Sequence, residues 1–179
     1  MDDDLQARST ELVSALDRGG LGLAVAESLT GGQLAMTIAR TPESGDIFLG
    51  GLVTYHRIVK HHLLAVDLDH VVSPDAAVTM AQGTRDLLGA DVAVAVTGVA
   101  GPEEQEGVEV GTVFGGWATP YDAGAERWHF DGDPEEVTRQ TVDAALRMAI
   151  RAATSLLDLD LDDRPLPEQP FRRRAAVPA

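Results

Sequence analysis

Apolar residues along the chain recur with two periods, which predict alternating helices and strands. Helical spacing predicts helices over residues 5–16, 33–40, 56–64, 74–88 and 134–157, with a short helical segment over residues 43–49. Short apolar runs predict strands over residues 21–26, 51–55, 91–96, 112–118 and 126–130, the last two as a hairpin. The order of these elements predicts a three-layer α/β/α sandwich on a mixed, mostly parallel sheet of about five or six strands.

Four of these elements carry further local predictions. Ser73 and Asp133 each precede a proline, which is typical of a helix N-cap followed by the first helical residue. The apolar run over residues 92–96 predicts a central strand that is buried on both faces. In the 56–64 helix, we expect the apolar residues to face the core with Lys60 and His61 beside them; they are Ile58, Val59, Leu63 and Leu64.

The alternation of predicted helices and strands ends near residue 157, before the end of the sequence. Residues 1–157 are predicted to form one domain, and residues 158–179, rich in acid and proline and without periodicity, are predicted to be a flexible tail. No apolar run approaches the roughly 20 residues that span a membrane, and the acidic start does not resemble a signal peptide. We therefore expect a cytoplasmic protein with no membrane partner.

Charge and composition narrow the functional classes. The 29 acidic residues against 14 basic ones leave a net charge of −15, which disfavours nucleic acid as a partner and resembles proteins of salt-accumulating organisms. The chain has 0 cysteines, which excludes disulfides, thiolate metal sites and a cysteine nucleophile. Lys60 is the only lysine among the basic residues. A single lysine in such a chain indicates that Lys60 has a specific function or, alternatively, that it remains there by chance.

The stretch Ala26-Glu-Ser-Leu-Thr-Gly-Gly32 joins a predicted strand to a predicted helix. It places Ser28, Thr30, Gly31 and Gly32 at the carboxyl end of a strand, where open α/β sheets bind ligands. The glycines allow close approach of the backbone, and the helix start offers N–H groups to an oxyanion. The alternative is an ordinary helix cap.

Two more strand ends carry candidate chemistry. Thr97 and Gly98 follow the central strand, and Tyr55 ends another strand five residues before Lys60. A desolvated lysine can be neutral near pH 7 and accept a serine proton, so Ser28 and Lys60 are a candidate pair. A Ser-His-Asp arrangement that uses His56 is less favoured and stays open. The adjacent His61 and His62 point to different helix faces, which disfavours a metal site.

These motifs together resemble the CinA C-terminal domain family, which includes the nicotinamide-nucleotide amidohydrolases. They are AESLTGG, GLVTY with a lysine five residues after the tyrosine, and AVTGVAGP followed by VGTV. The order and spacing agree over about residues 5–157, in what we expect to be the stand-alone form of the domain.

The resemblance implies hydrolysis of nicotinamide mononucleotide to nicotinic acid mononucleotide and ammonia, without metal or cofactor. It implies Ser28 as nucleophile, Lys60 as general base, and Tyr55 and Thr97 as supporting hydroxyls. Implied contacts to the substrate come from the turns around it; they involve Thr30, Gly31, Gly32 and Gly98. Glu27 orients a neighbour or caps the helix. The expected partners are the nucleotide substrate and, because the sheet has an edge, further copies of the chain in a homo-oligomer.

The sequence departs from the family pattern where a 5′-phosphate would be held. Residues 103–107 read Glu-Glu-Gln-Glu-Gly in place of a glycine-rich segment, and Val108-Glu109 replaces Lys-Pro. Pro134 and Thr138 stand at two positions that carry arginine in the family, with Arg139 as a possible substitute. Either the acidic drift of a halophilic surface or a substrate without phosphate accounts for these changes. A non-catalytic nucleotide-binding or interaction domain and a Ser-Lys hydrolase of a different amide are the functional alternatives.

Overall fold

The structure, a computed structural model, describes residues 2–67, 69–159 and 166. Within them, a sheet lies between two layers of helices, as predicted. The strands are β1 (Leu23–Glu27), β2 (Phe48–Val53), β3 (Val92–Gly98), β4 (Thr112–Ala118) and β5 (Ala123–His129). The helices are α1 (Asp3–Gly19), α2 (Gln33–Ala39), α3 (Arg57–Leu64), α4 (Pro74–Leu88) and α5 (Pro134–Leu157), with a 3₁₀ turn at Ser44–Asp46.

The five strands are ordered β2-β1-β3-β4-β5. β1 pairs in parallel with β2 and β3, whereas β4 is antiparallel to both of its neighbours. Four strands therefore run in one direction, which confirms the mixed, mostly parallel sheet. The carboxyl ends of β2, β1 and β3 consequently meet at one edge of the sheet, where ligands bind in such folds.

Each face of the sheet has its own core. On one face, α1, α2 and α5 pack against the strands through residues such as Leu16, Leu34 and Leu146, with Val25 and Val94 below them. On the other face, α4 packs through Met80 with Ala26 and Ala95. Every residue of β3 is buried, which confirms the predicted central strand. Successive residues of β1 and β3 thus point alternately into the two cores.

Two predicted helix starts are confirmed by their caps. The Ser73 hydroxyl accepts the N–H of Ala76 at 3.1 Å, and the Asp133 carboxylate accepts the N–H of Glu136 at 2.9 Å. α5 ends at Leu157, at the predicted boundary. The predicted tail over residues 158–179 lies, apart from residues 158, 159 and 166, outside the described residues.

The bounds of two predicted strands and of one predicted helical segment were wrong. β2 begins at Phe48 and ends before Tyr55, and the helical segment of residues 43–49 is limited to Ser44–Asp46. β5 begins at Ala123, three residues before the predicted start. Both strands extend because a neighbouring strand pairs with them: Leu23 of β1 is aligned with Phe48, and Ala118 of β4 is aligned with Ala123 across the hairpin turn. Local apolar patterns do not contain this pairing.

The predicted orientation of α3 was also wrong. Ile58 and Leu63 are each 50% exposed, whereas Lys60 and Leu64 are each 2% exposed. Lys60 and Leu64 are four residues apart and share the face that packs toward α4. The helix therefore buries its amine and presents most of its apolar stripe to the outside. No helix in the described part of the chain is long and apolar enough to cross a membrane.

Candidate functional site at the carboxyl ends of the strands

Ser28 and Thr97 lie side by side where β1 and β3 end. The backbone N–H of Ser28 donates to the carbonyl oxygen of Val96 at 3.2 Å, which continues the parallel pairing by one residue. Ser28 and Thr97 each follow, by two residues, an alanine of the core under α4. Strand alternation thus places both residues on that face of the sheet. Both are buried.

Lys60 reaches the same place from α3. Its Nζ donates to the hydroxyl oxygen of Thr97 at 3.1 Å, and the Thr97 hydroxyl donates to the carbonyl oxygen of Val71 at 2.7 Å. The amine and the hydroxyl are both buried, so this chain of hydrogen bonds is shielded from solvent. Among the described residues, no hydrogen bond joins the Ser28 hydroxyl to Lys60.

Burial governs the charge of this amine. Removal from water disfavours the ammonium form and lowers the pKa of Lys60 to about 8, although the negative charge of Glu106 opposes the change. A substantial fraction of Lys60 is therefore neutral at mildly alkaline pH. A neutral amine is able to accept a proton, which an ordinary surface lysine cannot do at that pH.

Glu27 caps α2 from the end of β1. Its carboxylate accepts the Thr30 hydroxyl at 2.7 Å and the backbone N–H groups of Gly32, Leu34 and Ala35 at 3.0, 3.1 and 2.8 Å. Glu27 is fully buried. Of the two roles considered for it, the structure places it as the helix cap. The start of α2 is therefore occupied by Glu27, contrary to the expectation that its N–H groups are free for an oxyanion.

The turn before α2 keeps other donors available. Gly31 donates its N–H to Ser28 and Gln33 donates to Thr30, but within the described residues no hydrogen bond takes the N–H groups of Leu29 and Thr30. Gly32 has a φ of 107°, which a residue with a side chain rarely adopts. This glycine lets the chain turn from the strand directly into the helix beneath the Glu27 carboxylate.

Gly98 is explained by strand packing. A Cβ at this position would lie 2.7 Å from the carbonyl oxygen of Thr112 and 2.8 Å from the Cα of Val113. Both are backbone atoms of β4, which pairs with β3 here. The close approach of the two strands therefore requires glycine, whether or not a substrate lies nearby.

Tyr55 follows β2 but stays away from the buried cluster. It is 73% exposed, and its phenol makes no hydrogen bond among the described residues. Its neighbour Thr54 is fully buried, and the Thr54 N–H donates to the carbonyl oxygen of Glu27 at 2.8 Å. The strand end is therefore locked to β1 by Thr54, while the Tyr55 ring projects outward.

Arg139 lies on the other side of the sheet, near the start of α5. It forms ion pairs with Asp2 at 3.3 Å and Glu136 at 3.0 Å, and its side chain is 43% exposed. It lines a cleft of about 490 Å³ together with residues of α1 and α2, including Gln33 and Met36. The structure does not bring Arg139 to the cluster around Lys60.

The described residues contain no group of three or more His, Asp and Glu side chains arranged to hold a metal ion. His61 directs its ring Nδ1 to the carbonyl oxygen of Val66 at 2.9 Å, and its ring meets that of His62 edge to face.

Of the predicted site residues, the structure brings together Ser28, Thr97 and Lys60. Two groups that act on this cluster were not predicted from the sequence: the carbonyl of Val71 and the carboxylate of Glu106. A backbone carbonyl leaves no signal in a sequence. Glu106 was visible only as a departure from a family pattern, in a loop whose position is set by the fold.

The fold and this cluster together define a class of protein: a three-layer α/β domain with a buried amine among hydroxyl groups at the carboxyl edge of its sheet. Comparison with known proteins gives the family. The model of the CinA C-terminal domain matches residues 5–153, and the chain belongs to this family.

Relatives and solved structures agree with that assignment. A CinA-like protein of Geotalea uraniireducens is 37% identical over 167 residues, covering 90% of this chain and 40% of the relative. The first two curated relatives are covered over only 33% and 40% of their length, so the chain matches a part of each. A crystal structure of a CinA superfamily protein from Klebsiella pneumoniae has a TM-score of 0.80 at 30% identity, covering 84% of this chain and 98% of that one. A superfamily member from Escherichia coli has a TM-score of 0.75 at 31% identity, covering 87% and 92%.

Proposed function

We propose that this domain is an amidohydrolase that converts nicotinamide mononucleotide to nicotinic acid mononucleotide and ammonia, with Ser28 as nucleophile and Lys60 as general base. One observation carries the proposal: the only lysine of the chain is buried, with its amine on Thr97 beside the strand end that bears Ser28. A buried, partly neutral amine next to a serine is the arrangement that activates a hydroxyl without histidine.

The first step forms a covalent intermediate. Neutral Lys60 accepts the proton of the Ser28 hydroxyl as its oxygen bonds to the carboxamide carbon of the substrate, which gives a tetrahedral oxyanion. Collapse of this species breaks the bond to nitrogen, and the Lys60 ammonium returns its proton to the leaving group, which departs as ammonia. The products of this step are an acyl ester on Ser28 and a neutral amine on Lys60.

Water completes the reaction. Lys60 accepts a proton from water as the hydroxide attacks the ester carbon. The intermediate then releases the carboxylic acid, the Lys60 ammonium gives its proton to the departing Ser28 oxygen, and the neutral amine is restored. The backbone N–H groups of Leu29 and Thr30 are the proposed donors to the oxyanion, because hydrogen bonds in the described residues leave them free. Tyr55, exposed beside this edge, is proposed to contact the substrate only when it is bound.

The residues expected to hold the 5′-phosphate of the substrate are poorly suited to bind it. Arg139 remains a proposed phosphate ligand, but an incoming phosphate would have to displace the carboxylates of Asp2 and Glu136. The loop over residues 103–109 adds negative charge in place of the family's basic residue. Both observations favour a substrate in which the phosphate contributes little to binding.

The proposal is tested by ammonia release from nicotinamide mononucleotide, nicotinamide riboside and nicotinamide, in molar KCl because of the acidic surface. Turnover of the mononucleotide is expected, and turnover of the riboside as well would mean that the phosphate site is not used. Ser28→Ala and Lys60→Met should each lose at least about 100-fold in kcat/KM, as expected for a nucleophile and its base.

Ser14→Ala is the matched control, since Ser14 is exposed on α1 and should keep full activity. Near-wild-type turnover by Ser28→Ala or Lys60→Met would refute the assigned mechanism. Detection of an ester on Ser28 by mass spectrometry after acid quenching would support it independently.

A non-catalytic nucleotide-binding or interaction domain is the second candidate. The acidic 103–109 loop supports it, because four glutamates stand there in place of the glycine-rich and basic segment that the family pattern carries. It predicts thermal stabilisation by nucleotide without product. Failure of the mononucleotide together with release of ammonia from another amide would instead indicate a hydrolase with the same Ser28–Lys60 pair and a different pocket.

We further propose that the chain forms a homo-oligomer through the exposed side of α3. This surface is apolar and contains Ile58, Val59 and Leu63. Residues 47–66 contain no Asp or Glu, although the whole chain carries a charge of −15. Because this segment carries no acidic residue, two copies of the chain would repel one another least if they met along it. This charge distribution favours a second copy of the chain as the partner of the α3 surface.

A further inference from the structure

Glu106 lies at the tip of a tight turn in the acidic loop. Gln105 and Val108 exchange backbone hydrogen bonds of 3.3 and 2.9 Å, which leaves Glu106 and Gly107 as the two central residues. Both have positive φ values, 54° and 74°, as a two-residue type I′ turn requires. Glutamate is an unusual residue at such a position, where Asn, Asp and Gly are preferred. The turn therefore holds a carboxylate at a point where backbone preference alone would not place it.

The carboxylate of Glu106 is joined to the buried cluster through one peptide group. Its Oε2 accepts the N–H of Val72 at 3.3 Å. The other end of that peptide is the carbonyl of Val71, which accepts the Thr97 hydroxyl at 2.7 Å. Thr97 in turn accepts Nζ of Lys60 at 3.1 Å. Hydrogen bonds in such a series polarise and orient one another.

We propose that Glu106 is a positioning residue of this site: by holding the Val71–Val72 peptide, its carboxylate orients the Thr97 hydroxyl and thereby the Lys60 amine. The inference rests on the proposed use of Lys60 as general base. It assigns a role in the site to the acidic loop, which the sequence comparison left as surface drift or an altered substrate pocket.

The charges around Lys60 support this assignment. Among the described residues, Glu106 is the group whose charge acts on the Lys60 amine, and it raises the pKa that burial lowers. On α3, two other ionisable groups have partners of their own. His61, on the same helix, faces the Val66 carbonyl oxygen, and Arg57 lies 4.0 Å from Asp69 of the following segment. Removal of the Glu106 charge should consequently lower the pKa of Lys60 further.

The test is a direct titration of Lys60. Because the chain has one lysine, protein grown with lysine labelled at the ε carbon with ¹³C gives a single side-chain signal, whose shift reports protonation of Nζ. Glu106→Gln keeps an oxygen that can accept the Val72 N–H but removes the charge. Its Lys60 midpoint should fall by about 0.5 pH unit or more relative to wild type. Glu104→Gln, in the same loop and exposed, is the control and should leave the midpoint unchanged.

Activity provides the second measurement. The acid limb of kcat/KM should move to lower pH in Glu106→Gln by the same amount as the NMR midpoint. Glu106→Ala, which removes the acceptor as well, should also lose about 10-fold or more at its own optimum, because the Val71–Val72 peptide that orients Thr97 is no longer held by the carboxylate. Comparison at the lowest KCl concentration that keeps the protein folded and at 2 M KCl should show a salt-dependent Lys60 midpoint in wild type and a weaker dependence in Glu106→Gln.

The two proposals fail in different ways. Equal midpoints in Glu106→Gln and Glu104→Gln would overturn the role of Glu106, even if the wild-type protein turns over nicotinamide mononucleotide. A shifted midpoint in a protein that hydrolyses no amide would retain the link between Glu106 and Lys60 and overturn the amidase proposal.

Discussion

Burial of the Lys60 amine should destabilise the folded protein by an amount that depends on pH. The pKa of Lys60 falls from an ordinary value of 10.5 to about 8 on folding. At about 1.4 kcal/mol per pK unit, this difference corresponds to a cost of about 3 kcal/mol when the amine is protonated in both states. Replacement of Lys60 by an apolar side chain of similar length should therefore stabilise the protein.

The direction of the pH dependence follows from proton linkage. Below pH 8, both the folded and the unfolded states hold the proton, and the full cost applies. Between pH 8 and pH 10.5, the unfolded state still holds a proton that the folded state has released, so stability rises with pH. Lys60→Met should thus be more stable than wild type by about 3 kcal/mol at pH 7 and by only about 1 kcal/mol at pH 10.

Lys60→Met is a conservative test because methionine fills a similar volume and adapts to its surroundings. Thr97 loses the lysine donor but keeps its own hydrogen bond to the Val71 carbonyl oxygen, so no buried donor is left unpaired. Arg57→Met on the exposed side of the same helix is the control, since arginine stays protonated over this pH range.

The assay is urea unfolding of the three proteins in KCl, followed by circular dichroism at pH 7 and pH 10. Groups that titrate in both proteins cancel in the difference between variant and wild type. A destabilising effect of Lys60 burial would be refuted if Lys60→Met were less stable than wild type at pH 7. It would also be refuted if the difference between the two proteins were the same at both pH values, or if Arg57→Met showed the same change.

Three further variants test other parts of the structure. Glu27→Ala should lose about 3 kcal/mol of stability, because four hydrogen bonds to a buried carboxylate disappear, while the exposed Glu135→Gln should lose almost nothing in the same unfolding assay. Gly98→Ala should cost about 1–3 kcal/mol, since the new methyl group would overlap the β4 backbone; an unchanged melting temperature would contradict that packing. Ile58→Asp should convert the proposed oligomer to monomer in light scattering, whereas Leu87→Asp, at an equally exposed apolar position on α4, should not.

Local patterns predicted much of the fold and part of the site. Helix caps such as Ser73 and Asp133 act within one turn, and the apolar run of β3 is typical of a strand with both faces covered. The local pattern of a strand, a turn and a helix likewise predicted that Ser28 lies at the carboxyl edge of the sheet. Lys60 stood out because the chain contains no other lysine.

Contacts between distant segments decided the rest. The start of β2 depends on its pairing with β1, which no local period encodes. The face of α3 that is buried depends on α4 and on Thr97, so the amine faces inward although the apolar residues beside it are better suited to burial alone. The Val71–Val72 peptide and Glu106 join the site through backbone groups and a loop turn. Hydrophobic periodicity records which residues avoid water, but the partners of a buried polar group are set only when the chain brings them together.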